Sequence, residues 1–121
     1  MDGVSEDRVA KFIADLAEYG IEAAVDGPAV VYSMDTIGGA RAGSVIATAV
    51  SVNELSAWPA VAPHWLHFPS EVAFAVTNVD QVDCLDGWSR HSRDVGAWSM
   101  DRPPIANWLA HVRGVLNEVT Y

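Results

Sequence analysis

Two stretches of helical periodicity bracket a run of strand formers, and that order constrains the fold more than any other feature of the chain. Val9, Phe12, Ile13 and Leu16 recur at spacings of three and four, which places them on one stripe of a helix. Ser5 stands where it can cap that helix, Glu6 and Asp7 suit the positive end of its dipole, and Gly20 is placed to end it. Near the other end Ile105, Trp108, Leu109, Val112 and Leu116 make a second stripe, and His111 points away from it. Asp101 lies ahead of this helix, and Pro103 and Pro104 fit a first turn, where a missing N–H costs nothing.

Between the helices the pattern changes. Ala29–Met34 follows Asp26, Gly27 and Pro28 and is rich in strand formers, and Ser44–Ser51 is a second β-branched run. The glycine-rich Asp35–Gly43 joins them as a flexible hairpin end, since it lacks the lysine and hydroxyl residue of a phosphate loop. Trp65–Val76 reads as one or two further strands, with Pro69 marking a bend or an edge. The expected fold is α+β: an N-terminal helix, an antiparallel four-stranded meander, a long crossover loop and a C-terminal helix, with helices on one face of the sheet.

Half of the 121 residues are apolar, which suits one domain, residues 1–121, around one core. No segment reaches the ~18 continuous apolar residues that span a bilayer, and the acidic opening lacks a signal pattern, so a cytoplasmic protein without membrane association is expected. The formal net charge of -9 repels phosphate backbones and disfavours nucleic acid as a partner. The imbalance is local. Met1 to Ser89 holds thirteen acids and three basic residues, whereas Arg90 to Arg113 holds four arginines and two acids. Those arginines either meet an acidic partner or pair with their own neighbours.

The rare reactive side chains gather in Cys84–Trp98, a segment that reads as irregular. Cys84 is the single cysteine, so an internal disulfide is excluded. A thiolate there would be a strong nucleophile; Asp80, Asp83 and Asp86 work against it, and Arg90, His91 and Arg93 offset them only if the loop folds back. The other reading is an inert, buried thiol. His91, between Arg90 and Arg93, should favour its neutral form and serve as a base or an oxyanion donor, or else lock the loop. Trp88 and Trp98 either anchor the loop or, with Arg90 and Arg93, face a protein partner. His64 and His67 are three apart, which in a strand puts them on opposite sides, and no second ligand motif accompanies them; no metal and no cofactor are expected. Ser89, His91 and Asp94 lack the turn that presents a catalytic serine.

The order of parts resembles the ubiquitin-conjugating (UBC-like) fold, and bacterial UBC-like proteins in particular. "WPAVAPHWLHFPSEVAF" is similar to the family's proline-punctuated turn into the last strand of the meander. "TNV", Thr77–Val79, stands where the family often has a His-Pro-Asn tripeptide, with Val76 and Thr77 at the histidine and proline positions. "GAWSMDRPPIANWLAHVRGVLNEV" resembles its tryptophan, prolines and amphipathic helix. The resemblance implies that Cys84 carries a ubiquitin-like modifier as a thioester, that Asn78 stabilises the oxyanion with His91 assisting, and that a modifier and an activating enzyme are the protein partners. Two other readings stay open: an inactive UBC-like binding module, and an acidic immunity-type or structural interaction protein. The oligomeric state is not legible.

Overall fold

The structure is a computed structural model that describes residues 3–74, 79–93, 95, 96, 98 and 101–120, without the side chains of residues 3–5. Helix α1 spans Gly3–Glu18 and helix α2 spans Pro104–Leu116. Between them lie strands β1 (Ala24–Asp26), β2 (Ala29–Asp35), β3 (Val45–Ser51), β4 (Trp65–Pro69), β5 (Val79–Asp80) and β6 (Trp88–Ser92). They form one antiparallel sheet in the order β1-β2-β3-β4-β6-β5. The fold is therefore α+β with a helix at each end. Among the described residues the sheet has six strands where four were expected, and the segment expected to cross over as an irregular loop supplies β6.

Two of the unexpected strands, β1 and β6, have different causes. Gly27 takes a φ of 54°, the sign that a two-residue hairpin of the primed type needs at its first central position. That turn folds Asp26 back onto Ala29 and makes β1 from three residues that are all exposed. Strand β6 is carried by pairing rather than by apolar content: five consecutive residues, Trp88 to Ser92, match Pro69 back to Trp65.

Both helices meet the same side of the sheet. Phe12 of α1 packs edge-on against Tyr32 of β2, and the Trp108 indole of α2 donates from Nε1 to the Tyr32 hydroxyl at 2.9 Å. The expected stripes are the buried ones. Phe12 and Leu16 are sealed, as are Ile105, Trp108, Leu109, Val112 and Leu116, which Val115 joins. Gly20 follows α1 with a φ of 76°, as a helix-ending glycine does. Helix α1 begins at Gly3, earlier than expected, so Ser5 lies inside its first turn and not at its cap. Trp58 fills the centre beneath α1, stacked edge-on against Phe12 at 4.9 Å, and its indole donates to Oδ2 of the buried Asp15 at 3.0 Å.

The β2–β3 connection is tied down, not a flexible hairpin end. Thr36 and Ser44 continue the ladder, and the Ala40 N–H donates to the Val119 carbonyl at 3.0 Å. The chain after α2 also bridges Phe74 through Val119, so this tail joins two distant segments. Gly39 makes the close approach possible: it has a φ of 77°, and a Cβ there would lie 2.4 Å from the Asn117 carbonyl oxygen. Gly39→Ala is expected to lose more than ~1 kcal/mol in chemical denaturation, because both the backbone angle and the contact forbid a side chain. An unchanged denaturation midpoint would show that the loop has other ways to sit.

Candidate functional site

Strand pairing decides which reactive groups meet. Leu66 pairs with His91, His67 with Arg90 and Phe68 with Ser89. Neighbours along a strand alternate between faces. Leu66 and Phe68 belong to the core under the helices, so Ser89 and His91 face that way too. His67 and Arg90 project to the opposite side. The segment from Gln81 to Gly87 returns over that side, with a positive φ at Asp83 and at Gly87. It carries Cys84 onto His67, Sγ to Nδ1 at 3.6 Å. Leu85 seats the same segment on the β1–β2 turn, its Cδ2 lying 3.7 Å from where a Gly27 Cβ would be.

The result is a half-buried thiol on a buried imidazole, since His67 is only 1% exposed. Burial pushes the Cys84 thiol above its ordinary value; Arg90 opposes this and Asp80 and Asp83 add to it. Burial, with help from Arg90, lowers His67 to about 4 against the pull of Asp83 and Asp80. At neutral pH both groups are therefore uncharged. His67 Nε2 has no hydrogen-bond partner among the described residues. As a base His67 accepts at Nδ1 and keeps its proton on that orphaned nitrogen, an arrangement that costs roughly 1–3 kcal/mol.

Arg90 is engaged by its neighbours. Its Nε donates to Asp80 Oδ1 at 2.6 Å and its Nη2 to Oδ2 at 3.2 Å, and its guanidinium lies 4.0 Å from the centre of the Trp65 ring. The Arg90 bonds hold the Asp80 carboxyl below the usual range, with the Val82 N–H assisting. Asp80 in turn fixes the start of the segment that carries Cys84. The pair serves first to shape the loop and second to set the field at the sulfur.

The other expected site residues do not converge here. His91 lies across the sheet from the thiol, its ring 4.8 Å from Phe74 and 5.6 Å from Phe68. Its pKa falls to about 4, mainly through burial and then through Arg93, so the expected preference for the neutral form is met. Trp88 is half-buried on the Arg90 side of β6, whereas Trp98 packs against Trp58 at 5.9 Å and donates to the Pro59 carbonyl at 2.9 Å. Arg93 lies over Phe74, guanidinium to ring centre 5.3 Å. These four residues form no single patch. Asn78, with Val76, Thr77 and Asp94, lies outside the described residues. Among the described residues no three His, Cys, Asp or Glu side chains gather as metal ligands, and no helix is long and apolar enough to cross a membrane.

Sequence reasoning missed His67. The signal was present in Trp65–Pro69, a strand in which His67 alternates with Leu66 and Phe68 and so must face away from the core. Weighing His67 only as a metal ligand beside His64 hid that role. No family model matches the chain, and no curated protein and no solved structure matches it.

Proposed function

We propose that the chain is a thiol acyl carrier of the ubiquitin-conjugating kind, with Cys84 as nucleophile and His67 as its base. The observation that supports this is the 3.6 Å approach of the Cys84 sulfur to Nδ1 of a buried, neutral histidine. A nucleophile with its base in reach is the usual sign of covalent catalysis. The order of parts supports the same reading in outline: a helix, an antiparallel sheet that carries a cysteine on the segment between β5 and β6, and a helix.

The chemistry is thioester exchange. The Cys84 sulfur attacks the carbonyl carbon of an activated acyl group while His67 takes the thiol proton. A new S–C bond forms, the bond to the leaving thiolate breaks, and His67 returns the proton to that thiolate. Burial makes the imidazolium short-lived, and the carboxylates of Asp80 and Asp83 stabilise it while it lasts. The acyl group in this reading is the C-terminus of a ubiquitin-like modifier, delivered by an activating enzyme. Asn78 would serve the oxyanion.

A small aryl thioester tests the step without either partner. Intact mass should show one acyl adduct on the wild-type protein, removable by hydroxylamine, and none on Cys84→Ala. His67→Gln should slow adduct formation by about 100-fold, the low end for loss of a general base. Equal rates for wild type and His67→Gln would remove the base. The absence of any adduct would favour the second reading, a binding module without transfer, which the raised thiol pKa and the committed Arg90 support.

A further inference from the structure

Strand β1 covers only part of its neighbour. It pairs with Ala29, Val30 and Val31, while β2 continues to Asp35. Two independent features fix where the remaining backbone groups point. The two-residue turn makes Asp26 and Ala29 a hydrogen-bonded pair, so Ala29 and every second residue after it face the β1 side. At the other end Thr36 donates to Ser44 and accepts from Gly43, so Thr36, Met34 and Tyr32 face β3. Both place the N–H and C=O of Ser33 and Asp35 on the lane that β1 leaves empty. Among the described residues no strand pairs with that edge beyond Val31.

The lane is also a cavity. The chain peels away from β2 at Gly20–Glu22 and leaves a space of about 560 Å³, lined by Tyr19, Ile21, Glu22, Ser33, Met34 and Asp35, with Arg113 of α2. A volume in the range ~300–1,000 Å³ is that of a ligand site. Its polar groups repeat every second residue along an edge, a spacing of ~7 Å that an extended backbone matches and a compact small molecule does not. We infer that this edge takes an extended peptide as an added strand, antiparallel to β2, with a basic residue opposite Asp35.

The side-chain preferences follow from the pleat. Peptide residues opposite Ser33 and Asp35 share the exposed face with the Asp35 carboxylate, so lysine or arginine fits there. The residue opposite Met34 turns inward toward Met34 and Ile21, so an aliphatic side chain fits there. Glu22 and Asp35 outnumber Arg113 around the space, and the net charge of -9 draws a cationic peptide toward the chain. Backbone hydrogen bonds supply the affinity and alternate side chains the selectivity, as in other strand additions.

The probe is an acetylated, amidated pentapeptide that alternates valine and lysine, titrated into the full chain and followed by amide NMR. Saturable shifts should centre on Ser33 and Asp35, and hydrogen exchange at those two amides should slow by about tenfold or more. Methylating the edge-facing amides of the peptide should weaken binding by roughly tenfold or more, as loss of backbone bonds requires. Replacing lysine by glutamate should weaken it as well. Absence of saturation, unchanged exchange at Ser33 and Asp35, or equal affinity for the methylated peptide would each overturn strand addition. Equal affinity for the glutamate peptide would overturn the basic preference.

Discussion

Trp58→Ala should lower the stability of this protein by about 3–5 kcal/mol, the usual cost of deleting a sealed aromatic side chain. Trp58 has no exposed surface, stacks on Phe12 and Trp98, and donates to Asp15. The substitution leaves a void between α1 and the Val52–Leu55 turn region. It also strips a donor from a carboxylate that is itself buried and otherwise held by Lys11 at 2.8 Å. Against a typical total of ~5–15 kcal/mol, such a loss brings the fold close to its limit. Trp58→Phe separates the two causes. It keeps most of the packing and loses the hydrogen bond to Asp15, for an expected cost of about 1–3 kcal/mol. Urea titration of both variants measures this. A Trp58→Ala midpoint near wild type would mean that the core closes over the gap.

Acid should destabilise the fold through two imidazoles. His67 and His91 each have an ordinary value of 6.5 and are lowered to about 4 by burial first, then by Arg90 and Arg93 respectively. Between those values the unfolded chain binds protons that the folded chain refuses. Stability therefore rises with pH across that window, is complete above the ordinary value, and is lost on acidification toward the folded value. Each shift corresponds to roughly 3 kcal/mol, of which both histidines, 1% and 4% exposed, should retain most. Glu54, held above the usual carboxylate range by burial, works in the opposite sense and offsets part of the loss. Urea midpoints at about pH 7.5 and about pH 4.5 should differ strongly in wild type and less in His91→Phe and His67→Gln. Midpoints that stay level in wild type would show that neither imidazole is held neutral.

The two helices were legible because their apolar residues obey one rule without help from the rest of the chain. Phe12 and Leu16, or Trp108 and Val112, share a stripe whatever they pack against. Strands β2 and β3 were legible for a similar reason, as β-branched runs between turn residues. Strand β1 was not, because Ala24, Val25 and Asp26 bury nothing and exist as a strand only through the Gly27 turn. Strand β6 was hidden by its chemistry. Its inward residues are Ser89 and His91, so it lacks the apolar alternation that marks a half-buried strand. The site followed the same division. Cys84 stands out as a lone thiol; burial raises its pKa, and its neighbours Asp80 and Asp83 push it further upward, as their charge alone predicts. Its partner His67 was set by the β4–β6 register and by a seventeen-residue return of the chain, which no local pattern encodes. His91, adjacent to Arg90 in sequence, lies on the wrong side of a pleat to reach the sulfur.

The bond from Trp108 to Tyr32 has a consequence for how α2 is seated. A greasy stripe on a sheet tolerates a helix slipped by a turn or rolled by a fraction of one, because dispersion contacts are individually small and nearly interchangeable. A directional bond between two sealed aromatic groups has one phase only. It indexes α2 against the middle of the sheet, and so settles where the tail beyond the helix arrives to stitch Ala40 and Phe74 together.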